Sequence, residues 1–261
     1  MIRSLLDTCA APPPWETWKT RKIRIAVIDT GIDMESDILI ETALEAGSIK
    51  HCRGFAGDAE DYHDSHGHGT RIARLITIEV DIISLSFGLE PDNRNVDINK
   101  AIFNAVSNNT IVFAAAANNG GNKPRAYPAN RRTGVICIHA SDGRGNDGGI
   151  SPSPEPRKSN FSTLGISIES RWKGKKVLKS GTSFATPIAV ALAANMLEFA
   201  MYKCSLDEYE QRRLHSYDSI EELLHLMSKE RQGYDYIMPL HLWSGNTEAA
   251  ITRKLVDIAR S

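Results

Sequence analysis

The sequence predicts an α/β fold built around a mainly parallel sheet. Short runs of β-branched and apolar residues alternate with segments whose apolar residues recur at helical spacing. Most of these runs are apolar throughout, as in strands that are covered on both faces. Such alternation of strands and helices is typical of a parallel sheet with helices packed against it.

Four strands and one helix can be placed with their ends. The predicted strands lie in KIRIAVID (22–29), DIISLSFG (81–88), TIVFAAAANNGG (110–121) and GVICIHAS (134–141), and the first is expected to enter the centre of the sheet. Ile98, Ile102 and Val106 follow the i, i+4, i+8 spacing of a helix with one buried face. SIKHCRGF (48–55) is a weaker strand candidate, and helical spacing begins again at Thr70.

The most apolar stretch runs from Ser183 to Met201 and is long enough to span a bilayer. It contains Pro187, Asn195 and Glu198, which disfavour a membrane-spanning role. We therefore predict a buried core helix and no membrane partner.

Composition excludes several classes of function. The formal net charge is −1 and the pI is near 6.7, so no nucleic-acid partner is expected. The four cysteines lack the paired spacing of a zinc ribbon, and scattered thiols are typical of intracellular proteins. Asp7 interrupts the early apolar residues, so no signal peptide is predicted. We expect an intracellular, cytoplasmic, monomeric protein without a cofactor.

Three regions follow from the sequence pattern. Residues 1–20 form an extended lead-in stiffened by Pro12–Pro14. Residues 21–203 form the α/β domain, and residues 204–261 form a helical C-terminal extension with two amphipathic stretches. A further glycine-, proline- and serine-rich segment, 141–160, is predicted to be a surface loop.

Polar residues of four reactive types fall where the predicted strands end or helices begin. These are Asp29, His68, Asn118 and Ser183. Taken singly, a strand-terminal Asp or a Ser before a helix is most often a turn or capping residue. Together they supply a nucleophile, a base, an orienting carboxylate and an amide donor for an oxyanion. The four residues therefore favour acyl transfer by a serine nucleophile.

The blocks AVIDTGID, GHGTRIA, DIISLSFG, AAAANNG and SGTSFATPIA resemble those of subtilisin-like serine proteases, the subtilase family. They occur in the family's order over residues 22–202. RAYPA, VICIHA and FSTLG further resemble fungal intracellular members. The resemblance implies a three-layer sandwich with a mainly parallel central sheet, and a serine endopeptidase that acts on peptide or protein substrates.

The resemblance also implies a role for each residue of these blocks. Asp29 is the orienting carboxylate, His68 the general base and Ser183 the nucleophile, with Asn118 as the oxyanion donor. The implied substrate-binding residues are Ser86, Phe87, Gly88 and Ala116, with 125–129 closing the pocket. Ala117 stands where the family commonly has glycine.

Three histidines, His63, His66 and His68, lie within six residues, and this cluster raises a metal site as an alternative. Nothing in a glycine-broken loop forces their ring nitrogens onto one ion. We therefore predict no metal site. Asp37 resembles a calcium ligand of the family, but the loop that would complete that site is missing, so no calcium is predicted either.

The connection between the histidine block and the strand at 81–88 is unusually short. Only RIARLITIEV fills a region where the family has a further strand, a helix and a loop. We therefore expect the sheet to lack one strand and one helix. Closing such a gap moves neighbouring elements by about 4.8 Å, which would disturb the triad. The alternative function is accordingly a catalytically impaired pseudoprotease or truncated product, acting as a peptide-binding or interaction module.

Overall fold

The computed structural model describes residues 22–29, 42–43, 45–48, 80–89, 96–172 and 175–261. The strands in these residues are β1 (Ile25–Ile28), β2 (Ile82–Leu85), β3 (Ile111–Ala115), β4 (Ile136–Ser141), β5 (Phe161–Leu164), β6 (Ile168–Trp172), β7 (Lys175–Lys179), β8 (Ser228–Arg231) and β9 (Tyr234–Ile237). The helices are α1 (Val96–Ser107), α2 (Thr182–Lys203), α3 (Glu208–Leu214), α4 (Tyr217–Leu226), α5 (Leu240–Trp243) and α6 (Glu248–Arg260).

Seven of these strands form one sheet in the order β1-β2-β3-β4-β5-β9-β8. Every pairing is parallel except that of β8 with β9. Strands β6 and β7 form a separate antiparallel pair. The predicted α/β class with a mainly parallel sheet is confirmed, and so are the four strands placed from the sequence.

Helices cover both faces of the sheet. Ile82 on β2 packs in a cluster with residues of α2, while its neighbour Ile83 packs in a second cluster with Ile98 and Ile102 of α1. Successive strand residues point to opposite faces, so a strand between two helical layers must be apolar at every position. This is the physical reason for the continuous apolar runs in the sequence.

Helix α2 is the central helix of the molecule. Its length and composition would allow it to cross a membrane, and half of its most apolar window is buried in the protein. It packs against β2, β3, β4 and β5, with Ala185, Ala189 and Ala193 fully buried. Small side chains allow the helix to lie close to the sheet. The predicted buried core helix is confirmed.

The C-terminal residues share the core of the sheet. Leu223 of α4 and Leu255 of α6 are fully buried in the same cluster as α2. The segment also holds the β8–β9 hairpin, which extends the sheet beside β5. The sequence analysis expected only helices here. Gln232 and Gly233 connect the two strands, both with positive φ, as a two-residue hairpin loop requires.

Strand β1 ends the sheet in the described residues, where the sequence analysis expected it near the centre. Ile28 pairs with Leu85 of β2, and Val27 is 60% exposed. No gap separates these two strands, which are in direct parallel register. The sequence predicted that one strand and one helix are missing before Val80. Most of that segment lies outside the described residues, so the expectation stays a prediction.

Candidate active site

Ser183 is the second residue of α2 and is half-buried. The helix N-cap is Gly181, which has no side chain of its own to cap this end. Ser183 is thus not the N-cap, which was the ordinary structural explanation for a serine at this place. Within the described residues its Oγ makes no hydrogen bond, so the hydroxyl is available for chemistry.

The chain reaches Ser183 through two glycines in close contact. The N–H of Gly181 donates to the carbonyl of Gly165 at 2.8 Å. A Cβ on Gly165 would lie 2.7 Å from Ala140 Cβ and 2.9 Å from Ala185 Cβ. No side chain fits there without displacing the start of α2 or the end of β4. Gly165 was not singled out from the sequence, since nothing local distinguishes it from other loop glycines.

Asn118 follows β3 and is oriented by Thr182. Its Oδ1 accepts hydrogen bonds from Thr182 N at 2.8 Å and from Thr182 Oγ1 at 3.1 Å. Two donors on Oδ1 fix which side of the amide is the nitrogen. Within the described residues Asn118 Nδ2 donates to no acceptor, so this N–H group is left for a ligand.

Thr182 also holds the backbone next to Asn118. Its Oγ1 accepts a hydrogen bond from Ala117 N at 3.4 Å, and the residue is buried. Ala117 has a φ of 120°, a region that favours glycine. The family's usual glycine at this position thus has a conformational reason. Thr182 was not predicted from the sequence, although its place between Gly181 and Ser183 was a usable signal.

Ser183 and Asn118 lie beside the same small space. The position of a Cβ on Gly181 would be 3.1 Å from Ser183 Oγ and 3.2 Å from Asn118 Nδ2. The N–H groups in the first turn of a helix have no acceptor within the helix, and Ser183 N–H is one of them. An oxygen atom that develops negative charge here would meet amide donors and the positive end of the α2 dipole.

Asp29 directly follows β1 and is exposed. Ser86 directly follows the neighbouring β2, and its N–H donates to the carbonyl of Ile28 at 3.2 Å. The hydroxyl of Ser86 in turn donates to the carbonyl of Ser183 at 3.4 Å. Ser86 therefore bridges the end of the Asp29 strand and the start of α2.

The predicted substrate-binding residues differ in accessibility. Phe87 is partly exposed and Gly88 is exposed, whereas Ala116 is fully buried. The N–H of Ala116 donates to Ile138 O and its carbonyl accepts from Ala126 N, both at 2.9 Å. Its backbone groups are thus already used within the protein. The binding role predicted for Ala116 therefore stays a prediction.

Residues 125–129 pack against residues 88 and 89. Leu89 and Tyr127 exchange two backbone hydrogen bonds, and a Cβ on Gly88 would lie 2.4 Å from Ala126 Cβ. Arg125, which is 3% exposed, anchors the segment through Asn160 Oδ1 at 2.5 Å and Glu155 at 3.2 Å. Residues 125–129 are therefore fixed to the 151–160 loop by the buried Arg125 side chain.

His68, His63, His66 and Asp37 lie outside the described residues. The predicted general base, the histidine metal alternative and the expected absence of calcium thus stay predictions. Among the described residues no group of three or more His, Cys, Asp or Glu side chains is placed to hold a metal ion.

Comparison with known proteins gives a consistent family match. The model of the subtilase family matches residues 71–234, which is more than half of the chain. That region contains Ser86, Asn118 and Ser183, and it begins after His68.

Curated relatives carry protease names. The chain is 31% identical over 159 residues to the subtilisin-like protease het-Q2 of Podospora anserina, covering 57% of this chain and 42% of that protein. It is 26% identical over 216 residues to the thermostable alkaline protease of Halalkalibacterium halodurans, covering 66% of this chain and 55% of that protein. The chain thus spans about half the length of these two relatives. It is 27% identical over 260 residues to an intracellular serine protease of Paenibacillus polymyxa, covering 78% of this chain and 76% of that protein.

Two solved structures share the fold. The prenylagaramide maturation protease PagA matches with a TM-score of 0.61 at 20% identity, covering 97% of this chain and 98% of that chain. The protease domain of PatA matches with a TM-score of 0.52 at 23% identity, covering 66% of this chain and 62% of that chain. At these identities the likeness shows the fold alone.

Proposed function

Since the chain belongs to the subtilase family, we propose that it is a serine endopeptidase that hydrolyses peptide bonds through an acyl-enzyme on Ser183. The observation that carries the proposal is the orientation of Asn118 by Thr182, which leaves Asn118 Nδ2 beside Ser183 Oγ. A donor preorganised beside a free hydroxyl is what stabilisation of a tetrahedral intermediate requires.

In the proposed reaction His68 takes the proton of Ser183 as its oxygen attacks the scissile carbonyl. Asp29 holds the imidazole in the required tautomer and stabilises the imidazolium. The oxyanion is bound by Asn118 Nδ2 and by the backbone N–H of Ser183. His68 then donates the proton to the leaving amine, and water hydrolyses the acyl-enzyme by the reverse sequence.

The proposed substrate is a peptide or protein segment that lies along residues 86–88. Capture as an extended strand would use backbone groups at this end of β2. We further propose that the enzyme is monomeric and intracellular and that it uses no cofactor. The names of the relatives include both an intracellular and an extracellular protease, so the intracellular location rests on the sequence composition.

A fluorophosphonate probe tests the proposal, because it reacts only with an activated serine. We expect covalent labelling of the wild-type protein and complete loss of labelling in Ser183→Ala. Ser180→Ala is the matched control, since Ser180 is exposed and lies three residues before Ser183. This control variant should label as the wild type does.

Histidine variants separate the proposal from its alternatives. His68→Ala should abolish labelling while His66→Ala and His63→Ala leave it unchanged. Bound zinc that is lost in all three variants would instead favour the metal site. An unlabelled protein that is folded by circular dichroism would contradict the protease and favour the pseudoprotease, which binds peptide without cleaving it.

A further inference from the structure

A cavity lies beside the turn that follows β4, apart from the residues around Ser183. Its volume is about 320 Å³, and it is lined by Gly143, Arg144, Arg231, Tyr236, Met238 and His241. These residues come from three elements: the turn after β4, the β8–β9 hairpin and the short helix α5. The cavity is large enough for a small molecule.

The two main walls are in direct contact, so the cavity is formed in advance of any ligand. A Cβ on Gly145 would lie 2.9 Å from Arg231 Cγ and 2.9 Å from the ring of Tyr236. The turn therefore packs its backbone directly on the hairpin. The N–H of Asp147 donates to Gln232 Oε1 at 3.2 Å and adds a second link.

The turn itself is rigid because Asp142 organises it. The carboxylate accepts hydrogen bonds from Arg144 N at 2.8 Å, Asn146 N at 2.9 Å and Asn146 Nδ2 at 2.8 Å. These bonds hold the pKa of Asp142 below its ordinary value. The Asp142 carboxylate thus keeps its negative charge near Arg144, but the hydrogen bonds that it accepts come from its own turn.

The residues that line the cavity include two arginines and no carboxylate. Neither Arg144 nor Arg231 pairs with a carboxylate in the described part of the chain. Lys229 lies directly across from Tyr236 and on the same face of the hairpin as Arg231. Burial and the charge of Asp142 raise the pKa of Tyr236, so its hydroxyl stays protonated and can donate.

We propose that this cavity binds the phosphate group of a small anionic ligand. Arginine matches phosphate through two parallel N–H donors, and charge-assisted bonds of this kind are strong. A phosphate group presents oxygen atoms in several directions, which suits donors from the turn, the hairpin and α5. A carboxylate presents two coplanar oxygens and would satisfy fewer of them.

Titration calorimetry with inorganic phosphate at constant ionic strength tests the site. The Ser183→Ala protein is used so that binding is measured independently of the proposed protease activity. We expect saturable binding at one site, weakened about tenfold or more by Arg144→Ala and by Arg231→Ala. Arg144→Lys should restore part of the affinity. Arg253→Ala is the matched control, since Arg253 is an exposed arginine on α6, and it should bind as its parent does.

Four results would overturn the proposal. They are the absence of saturable binding, unchanged binding in both arginine variants, equal weakening by Arg253→Ala, and citrate binding as tightly as phosphate. Urea unfolding of each variant checks that it is folded. Arg144 is exposed on a turn, so Arg144→Ala should keep the parent's unfolding midpoint even if Arg231→Ala does not.

Discussion

Around Ser183 the structure is tied together by short contacts, whereas Asp29 is exposed at the end of β1. Thr182 bonds Asn118 twice, and Gly165 leaves no room for a methyl group. In contrast, β1 pairs with β2 on one side in the described residues, Val27 is 60% exposed, and Asp29 is exposed. The nucleophile and the oxyanion donor are therefore built by the core of the sheet, while the proposed carboxylate follows β1, which is the last strand of the sheet in the described residues.

This difference separates two requirements for catalysis. The donors beside Ser183 belong to α2 and to the segment that follows β3, and α2 packs directly on β3. A terminal strand with exposed apolar residues contributes less to the core and opens at lower cost. A displacement of Asp29 would thus leave the oxyanion site formed, but the proposed general base His68 would lose its orienting carboxylate.

The largest expected effect is on turnover in Asn118→Ala. Removing the donor should lower kcat by roughly 10² to 10³, the scale seen when an oxyanion donor is removed from subtilisin. Steady-state hydrolysis of a peptide ester measures it. Asn119→Ala is the adjacent exposed control and should keep full activity.

Asn118→Asp sharpens this test. The aspartate can still accept the two bonds from Thr182 but carries no N–H donor. We expect at least the loss of turnover of the alanine variant, because the carboxylate also repels the oxyanion, with a nearly unchanged urea midpoint. Full activity in the aspartate variant would show that Nδ2 does not stabilise the oxyanion.

Gly165→Ala should destabilise the fold by about 1–3 kcal/mol through overpacking. The added methyl group meets Ala140, Ala185 and the carbonyl of Gly181 at distances below 3.0 Å. Urea denaturation measures the change. Gly143→Ala is the control, because a Cβ at Gly143 meets nothing within 4 Å. Equal stability of the two variants would contradict the close contact beneath Ser183.

Lowering the pH should decrease the free energy of unfolding because of His139, which lies on β4. This residue is fully buried, and burial followed by the charge of Arg125 lowers its pKa to about 3. The unfolded chain takes up a proton below about pH 6.5, where the folded chain does not, so stability falls as the pH decreases from 6.5 toward 3.

The free energy of unfolding is expected to fall by about 1.4 kcal/mol for each pH unit below 6.5. Urea unfolding at pH 7 and pH 5 measures it. His139→Leu lacks the titrating group, so its stability should change less between the two pH values. An identical pH dependence in this variant would assign the acid sensitivity to other groups.

Val27→Thr should have the smallest effect, below about 0.5 kcal/mol, because an exposed side chain loses little on becoming polar. Urea unfolding measures the change in the free energy of unfolding. Ile83→Val is the comparison, because Ile83 is buried on the neighbouring β2 and its truncation should cost about 0.5–1.5 kcal/mol. A larger cost for Val27→Thr than for Ile83→Val would show that β1 is covered in solution.

Much of the fold was predictable because local patterns and tertiary packing agree. The apolar runs at β2, β3 and β4 are long enough to identify strands, and the spacing of Ile98 and Ile102 identifies α1. The β8–β9 hairpin was not predicted, because Gln-Gly is a weaker turn signal than Asn-Gly and SKER carries little strand propensity. That hairpin is stabilised by pairing with β5, which is distant in sequence.

By itself, the sequence determined the fold class, the apolar core helix and the identity of Ser183 and Asn118 as candidate site residues. Blocks of residues around each position carry that information locally. Only the tertiary structure decided that Thr182 orients Asn118, that Gly165 lies beneath Ser183, and that Arg144 and Arg231 share a cavity. These relations join residues that are far apart in the chain, and they arise from strand order and packing, which local sequence does not encode.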